Sequence, residues 1–250
     1  MNFADKKVIV FDLDGTIATS KLPITAAMAD LLEHLLKSHQ VCIISGEKFE
    51  QFQKQVLSKL DQDSNLANLH IMPTCGTRYF RFQEGDWEQI YSEDLPAEDR
   101  EKIVQTLTEG AKQLGLWPEK AWGEIVEDRG TQVTYSALGQ EAPIESKLAW
   151  DPDGAKRMRL RKCVLDHLDD YEVDVSGTTS VDVTRKGIDK AYGVKKLEAV
   201  LHLANNDLVF IGDQLRVGGN DHPVKALGID SIEVEDWHET AKVIKEDLDR

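Results

Sequence analysis

The sequence predicts an α/β protein with a doubly wound parallel sheet as its core and an inserted α+β cap domain. Two apolar runs, Val8–Phe11 and Gln40–Ile44, are short and continuous, as in strands that are buried on both faces of a sheet. A third run of this kind covers residues 207–213. A helical pattern over residues 24–38 separates the first two runs, and a β-α-β sequence favours parallel strands with a right-handed crossover.

The remaining elements follow in order along the chain. A helix over residues 47–59 and a short strand near 69–72 extend the same sheet. Beyond them the hydrophobic pattern of the strands changes. Strands such as 78–82 and 131–135 alternate apolar and polar residues, which indicates that one face is solvated. The other predicted elements are helices over 97–114 and 154–169, strands at 207–213 and 229–234, and a helix to the C-terminus.

The return of the buried-strand pattern predicts a core domain that is split in sequence. We assign residues 1–82 and 184–250 to this core, and residues 83–183 to the cap inserted between them. A length of 250 residues suits one large or two modest domains, and 41% hydrophobic residues allow a substantial core.

The chain is strongly acidic. Its formal net charge of −15 repels polyphosphate backbones and anionic lipid headgroups, so we expect neither nucleic acid nor a membrane as a partner. An anionic substrate needs local positive charge, backbone N–H groups or a bound cation, because the overall field opposes it. The three cysteines show no C-x-x-C spacing and the first apolar run is too short for a signal peptide, so we expect a cytoplasmic protein.

The strongest chemical motif is Phe11-Asp-Leu-Asp-Gly-Thr16 at the end of the first predicted strand. Ligands of open α/β sheets bind at the carboxyl ends of strands, so Asp12 and Asp14 can reach one site. Adjacent carboxylates repel each other unless a cation separates them, and one Mg²⁺ would leave Asp12 ionised for attack on a phosphoester. Asp14 would then serve as general acid and base. The alternative is a pair of aspartates that cap a turn.

Three further motifs supply candidates for the same site. Ser45-Gly46 follows the second strand and offers a hydroxyl and an N–H group to a phosphoryl oxygen, unless Ser45 only caps the next helix. Lys190 could neutralise the transferring phosphoryl group, although most lysines are solvated surface residues. The glycine-rich loop after the third buried strand carries oxygen ligands that suit Mg²⁺ or Ca²⁺, unless it is an acidic turn without a metal. These ligands are Asp213, Asn220 and Asp221.

The four motifs, in this order, resemble those of the haloacid dehalogenase superfamily: an aspartate pair in D-x-D-G-T, a serine after the second strand, a lysine, and a final G-D…N-D loop. A cap between Ser45 and Lys190 is similar to the type IIB arrangement of Cof-type sugar phosphatases, sucrose-phosphatase-like enzymes and eukaryotic phosphomannomutases. The segments that look most like the phosphomannomutase branch are Ser180-Val-Asp-Val183, Gly187-Ile-Asp-Lys-Ala-Tyr192 and Gly218-Gly-Asn-Asp221. The resemblance implies a Rossmann-like core.

It also implies a magnesium-dependent phosphoryl transfer, with a role for each matching residue. Asp12 would be the nucleophile that is phosphorylated, and Asp14 the acid and base. The groups that contact the phosphoryl oxygens would be Ser45 and Lys190, and the magnesium ligands would be Asp213 and the main-chain carbonyl of Asp14. From the motifs themselves we also expect Gly46 to bind the substrate and Asp12, Asn220 and Asp221 to belong to the metal site. Asn220 and Asp221 would bind the ion directly or contact a group that does.

The cap is where this sequence departs from the phosphomannomutase branch. Ser180 and Asp182 fall where that branch contacts its sugar, and Arg129 matches one of the arginines that hold a second phosphate there. Trp122 and Gln140 stand where two other arginines would be, so a bidentate anion clamp is mostly missing. The departure favours hydrolysis over mutase activity.

We therefore expect a Mg²⁺-dependent phosphatase that hydrolyses a phosphorylated sugar or similar small metabolite through an aspartyl phosphate. The first alternative is a hexose-phosphate mutase like phosphomannomutase, in which a sugar hydroxyl rather than water accepts the phosphoryl group. The second is a catalytically silent ligand-binding protein that keeps the fold. A homodimer that forms through the cap is also expected.

Overall fold

The computed structural model describes residues 3–248 and consists of two compact units. The first unit comprises the chain up to Ser92 and from Asp189 onward, and the second is Glu93–Ile188. The strands are β1 (Val8–Phe11), β2 (Gln40–Ile44), β3 (Leu69–Met72), β4 (Arg78–Gln83), β5 (Asp86–Ser92), β6 (Val126–Asp128), β7 (Gln132–Ser136), β8 (Tyr171–Ser176), β9 (Ser180–Arg185), β10 (Leu208–Gly212) and β11 (Asp230–Glu233).

The helices are distributed over both units. They are α1 (Ala26–Leu35), α2 (Phe49–Gln55), α3 (Ala97–Gln113), α4 (Ile144–Trp150), α5 (Ala155–Leu165), α6 (Lys190–Leu201), α7 (His222–Ala226) and α8 (Trp237–Leu248). The helix predicted over 47–59 is shorter than expected, because α2 ends at Gln55 and a separate 3₁₀ turn covers Leu57–Lys59. Within the described part of the chain, none of the helices combines the length and the hydropathy needed to cross a membrane.

The first unit is built around a seven-stranded sheet in the order β11-β10-β1-β2-β3-β4-β5. The strands from β11 to β3 are parallel, and β4 and β5 continue the sheet in antiparallel fashion. One face packs on α1, α2 and α8, and the other on α6 and α7. Helices on both faces explain why these strands are continuously apolar, and the predicted α/β fold with a doubly wound sheet is confirmed.

The topology places the end of β1 at a switch point. β1 pairs with β10 on one side and with β2 on the other, although β10 comes from the far end of the sequence. After β1 the chain continues to β2 on one side, and after β10 it continues to β11 on the other side. In such sheets a crevice forms at the carboxyl ends of the two strands from which the connections diverge. Asp12 follows β1 directly, and Asp213 follows β10 directly.

The boundary between the units differs from the predicted one. We assigned the cap to residues 83–183, but β5 pairs antiparallel with β4 over its whole length. These backbone hydrogen bonds fasten β5 to the core sheet, so the first unit runs to Ser92. At the other end β9 continues to Arg185, and the second unit runs to Ile188.

The second unit is an antiparallel sheet in the order β6-β7-β9-β8, covered on one face by α3 and α5. Alternation along β7 and β9 sends Val133, Tyr135, Val181 and Val183 into the core beneath these helices. The opposite face is polar and includes the paired positions Thr134↔Asp182 and Ser136↔Ser180.

Candidate active site

The site begins with the loop that follows β1. The N–H group of Asp12 still donates to the main-chain oxygen of Ile211 at 3.0 Å, so the residue continues the sheet for one more position. Gly15 then turns the chain with φ of +86°, a conformation that favours glycine, and its N–H donates to the oxygen of Ala18. The result is a tight loop that holds the Asp12 side chain in place with 3% of its surface exposed.

Lys190 lies at the first position of α6, the helix that starts the C-terminal part of the first unit. Asp189 caps this helix by accepting from the N–H of Tyr192, which fixes where Lys190 leaves the backbone. The ammonium nitrogen of Lys190 lies 2.6 Å from Oδ1 of Asp12 and 2.5 Å from Oδ1 of Asp221. The structure therefore brings together three of the residues that the sequence placed in the site.

Burial and charge act in opposite directions on this cluster. Burial raises the pKa of Asp12, and the charge of Lys190 opposes that rise. Burial alone would lower the pKa of Lys190, but the carboxylates of Asp12 and Asp221 outweigh it and raise that pKa, so the lysine is charged. A fixed ammonium group beside Asp12 is suited to stabilise negative charge that develops there.

Three carboxylates in this cluster are placed to hold a metal ion. Asp12, Asp213 and Asp221 each offer an oxygen, and these oxygens lie within 4.8 Å of one another. Oδ1 of Asp213 is buried and has no hydrogen-bond partner in the described residues, which is costly unless a cation binds it. Three negative charges against the one positive charge of Lys190 leave two, which one divalent cation would balance. Oxygen ligands suit Mg²⁺, so these residues fit the ion.

Gln214 arranges two of these carboxylates. Its side-chain amide donates to Oδ2 of Asp213 at 2.8 Å, and its backbone N–H donates to Oδ2 of Asp221 at 2.9 Å. Asp221 is fully buried, and both its oxygens are engaged, one with Lys190 and one with Gln214. Asp221 therefore also holds Lys190 in place. Asn220, also expected at the metal, is exposed in the structure.

Asp14 is held by two hydrogen bonds to one of its carboxylate oxygens. Oδ1 accepts from the backbone N–H of Lys21 at 3.0 Å and from the side-chain amide of Gln55 at 2.9 Å. Burial raises the pKa of Asp14, and the nearby Glu47 raises it further, while Lys21, whose ammonium group pairs with Glu47, lowers it. A raised pKa suits a carboxyl group that must carry a proton.

The loop after β2 holds Ser45 and Gly46 beside the end of β3 and the residues that follow it. The N–H of Ser45 donates to the oxygen of Met72, and its main-chain oxygen accepts from Cys75. Oγ of Ser45 accepts from the N–H of Glu47 at 3.3 Å. The alternative that Ser45 caps a helix is wrong, because α2 starts at Phe49 with Lys48 at its N-cap. The hydroxyl proton of Ser45 is thus available to a ligand oxygen.

The remaining candidates lie on the polar face of the second unit. Arg129 is buried and its Nε donates to Glu127 at 2.7 Å. Asp182 accepts from the hydroxyl of Thr134 at 2.7 Å, and Ser180 and Ser136 share a hydrogen bond of 3.0 Å.

Trp122 and Gln140, which stand where the phosphomannomutase branch is expected to have arginines, are also in this unit. Gln140 donates to the Ser136 hydroxyl at 2.9 Å, while the side chain of Trp122 is exposed. Neither contributes positive charge to the polar face.

Residues 9–221 match the sequence model of a family described as haloacid dehalogenase-like hydrolase. The chain belongs to this family. The match covers both parts of the first unit that carry Asp12, Ser45, Lys190 and Asp221, and it confirms the resemblance drawn from the four motifs.

Curated relatives of this haloacid dehalogenase-like hydrolase include phosphomannomutases. The phosphomannomutase of Schizosaccharomyces pombe is 24% identical over 225 residues, which cover 88% of this chain and 85% of the relative. A probable phosphomannomutase of Caenorhabditis elegans is 24% identical over 230 residues, covering 89% and 87%. With such relatives in its family, the chain is a phosphoryl-transfer enzyme. The alternative of a catalytically silent binding protein is therefore not supported.

Solved structures show the same fold. An IMP-bound, N-terminally truncated IMP-nucleotidase of Plasmodium falciparum superimposes with a TM-score of 0.68 at 16% identity, covering 98% of this chain and 68% of that one. A protein of Streptococcus mutans UA159 gives a TM-score of 0.65 at 16% identity, covering 98% and 100%. At these identities the likeness concerns the fold alone.

Sequence reasoning missed several residues of this haloacid dehalogenase-like hydrolase site. Gln55 and Lys21 hold Asp14, and Gln214 holds Asp213 and Asp221. Only Gln214 carries a signal in the sequence, since it directly follows Asp213 in the loop that was already singled out. The contact of Gln55 depends on how α2 packs beside the loop after β1, and that of Lys21 on the backbone conformation of this loop.

Proposed function

We propose that this chain is a magnesium-dependent phosphatase that hydrolyses a phosphorylated sugar or similar small metabolite through an aspartyl phosphate on Asp12. The observation that carries the proposal is the pairing of Asp12 with Lys190 within a cluster of three carboxylates. A buried nucleophile, a fixed cation and a set of oxygen ligands together meet the needs of in-line phosphoryl transfer.

The first transfer phosphorylates the enzyme. A carboxylate oxygen of Asp12 attacks phosphorus while the bond from phosphorus to the leaving oxygen breaks, and its electron pair goes to that oxygen. Asp14 gives its proton to the leaving oxygen, so the alcohol departs neutral and Asp14 becomes a carboxylate. Lys190, the hydroxyl of Ser45 and the N–H of Gly46 are the groups that bind the phosphoryl oxygens.

The second transfer releases phosphate. Asp14, now a carboxylate, takes a proton from the water that attacks the phosphorus of the aspartyl phosphate. The bond between phosphorus and the Asp12 oxygen breaks, which restores the Asp12 carboxylate and frees inorganic phosphate.

Asp12, Asp213 and the main-chain carbonyl of Asp14 would hold the magnesium ion. Asn220 and Asp221 would either bind the ion directly or contact a group that does. When bound, the ion neutralises charge among the carboxylates and on the phosphoryl group. Gln214 orients the carboxylates of Asp213 and Asp221 through hydrogen bonds that do not involve the ion.

The polar face of the second unit favours a substrate that is uncharged apart from the phosphate that is removed. Arg129 is already paired with Glu127, so its charge is compensated before any ligand binds. Hydroxyl and carboxylate groups at Ser180 and Asp182 suit the hydroxyls of a sugar. We propose Arg129, Ser180 and Asp182 as substrate contacts. The homodimer through the second unit stays a prediction.

A direct test measures release of inorganic phosphate from a panel of phosphorylated metabolites with the wild-type protein and the Asp12→Asn variant. We expect the wild type to release phosphate from sugar phosphates, and the variant to be folded but inactive. Asp30→Asn, at an exposed position of α1, is the matched control and keeps full activity. Substantial turnover by Asp12→Asn would refute the covalent mechanism.

A phosphomannomutase-like mutase is the second candidate, because the curated relatives named above are phosphomannomutases. The two functions share the core residues and differ in whether water or a sugar hydroxyl takes the phosphoryl group. Incubation with mannose 1-phosphate, Mg²⁺ and a trace of hexose bisphosphate separates them. Release of phosphate without mannose 6-phosphate excludes the mutase, whereas formation of mannose 6-phosphate excludes a simple phosphatase.

A further inference from the structure

We propose that Gln55 is a positioning residue for Asp14, an inference that rests on the proposed phosphatase reaction. Gln55 is the last residue of α2, and its side chain is fully buried. Its amide nitrogen donates to Oδ1 of Asp14 at 2.9 Å and to the main-chain oxygen of Leu22 at 3.0 Å. Its amide oxygen accepts from Gln51 at 2.8 Å. Three hydrogen bonds therefore fix the orientation of this amide.

The Asp14 carboxyl group is anchored through one oxygen only. The backbone N–H of Lys21 is the second donor to Oδ1, at 3.0 Å, and Lys21 adopts φ of +64° to reach it. Both hydrogen bonds that Asp14 receives from residues 3–248 end on Oδ1. Two donors on Oδ1 restrict rotation of the carboxyl group, so Oδ2 is the oxygen left to give and take the proton.

A backbone hydrogen bond of Gln55 makes it possible to distinguish the positioning of Asp14 from simple support of the loop. The main-chain oxygen of Gln55 accepts from the N–H of Ile24 at 2.8 Å, which ties α2 to the loop before α1. This tie persists when the side chain is replaced. A side-chain substitution therefore removes the contact with Asp14 while one link between the helix and the loop remains.

The proposed role predicts a dependence on the leaving group. When phosphorus is transferred from an alkyl phosphate to Asp12, the departing alkoxide is unstable and needs the proton of Asp14. The nitrophenolate that departs from p-nitrophenyl phosphate is a stable anion and needs that proton far less. kcat/KM reports the steps up to the first phosphoryl transfer, so a misplaced Asp14 lowers it selectively for alkyl phosphates.

The test compares Gln55→Met, which keeps the volume and removes the amide, with Gln53→Met at an exposed position of the same helix. The substrates are p-nitrophenyl phosphate, glycerol 3-phosphate and mannose 6-phosphate. We expect Gln55→Met to lower kcat/KM for the alkyl phosphates by about tenfold or more, and for the aryl phosphate by less than about threefold. Gln53→Met should match the wild type, and thermal unfolding should show that both variants fold.

Three outcomes overturn the assignment. An equal loss for aryl and alkyl phosphates shows a structural role only, and no loss shows no role. A further loss when Gln55→Met is added to Asp14→Asn shows that Gln55 acts independently of Asp14. Failure of the proposed function looks different, because the wild type would then hydrolyse none of the three substrates.

Discussion

The ammonium group of Lys190 lies 2.6 Å from a carboxylate oxygen of Asp12, although the two residues come from separate segments of the first unit. Neither side chain has more than 4% of its surface exposed. This pair, closed on the other side by Asp221, gives Asp12 a fixed positive neighbour at the switch point of the sheet.

Replacing Lys190 tests that relationship. We expect Lys190→Met to lower kcat by about a hundredfold or more, because the positive charge beside the transferring phosphoryl group is lost. Lys195→Met, on the same helix with a half-exposed side chain, is the control and should keep the wild-type rate. Steady-state kinetics at saturating Mg²⁺ measures both, and a Lys190→Met rate within threefold of wild type would argue against the proposed role.

Asp213 is predicted to carry much of the metal affinity. Its Oδ1 is buried without a partner in the part of the chain that the structure describes, so a cation is the ligand it lacks. Exhaustive chelation should abolish activity reversibly, and Asp213→Asn should raise the Mg²⁺ concentration for half-maximal activity by about tenfold or more. Calorimetric titration of Mg²⁺ gives the affinity independently of turnover. Full activity after chelation would contradict the metal requirement.

Gly15 is predicted to be required for the position of Asp213. A Cβ atom at Gly15 would lie 2.7 Å from Oδ2 of Asp213, and φ there is +86°. Gly85 has a similar φ of +90° but no atom within 4 Å of such a Cβ, so Gly85→Ala carries the backbone strain without the contact. Both variants should lose about 1 kcal/mol of stability. Only Gly15→Ala should also weaken Mg²⁺ binding, and equal Mg²⁺ affinities in calorimetry would refute the contact.

His70 is predicted to make stability depend on pH. It is buried between the Tyr79 hydroxyl at 2.7 Å and the Gln40 side-chain oxygen at 2.8 Å, and burial lowers its pKa from 6.5 to about 3. The folded protein keeps His70 neutral while the unfolded chain binds a proton. Its stabilising contribution is therefore complete above pH 6.5 and is lost as the pH falls toward 3.

Urea denaturation of wild type and His70→Gln at several pH values measures this effect. Below about pH 6, the free energy of unfolding of the wild type should fall by about 1.4 kcal/mol more than that of the variant for each unit by which the pH is lowered. His34→Gln, at an exposed position, should behave as the wild type does. Parallel pH profiles for wild type and His70→Gln would show that His70 is not the responsible group.

The sequence was sufficient to predict the core strands and the residues at their ends. Continuous apolar runs at β1, β2 and β10 identify strands covered on both faces, and chemistry then follows from the carboxyl ends of those strands. The pairing of β5 was not predictable in this way. Its residues are mostly exposed, so its pattern does not indicate which sheet its backbone joins.

The contacts that orient the acidic groups were also beyond the sequence. Gln55 meets Asp14 only because α2 ends where the loop after β1 passes, and Lys21 reaches the same oxygen only through a left-handed backbone conformation. Neither depends on a periodic pattern. The first arises from packing between segments that are distant in the chain, and the second from the conformation of the loop after β1.

The central claim is that Asp12 carries the phosphoryl group, and acid-quenched peptide mapping by mass spectrometry tests it most directly. Asp14→Asn, in which water attack is slowed, is mixed with Mg²⁺ and p-nitrophenyl phosphate, whose leaving group needs little protonation, and is quenched during the first turnover. We predict the added mass of one phosphoryl group on the peptide that contains Asp12, lost on treatment with hydroxylamine. Phosphate release in the wild type without any such modified peptide, or with the modification on another residue, would contradict the account.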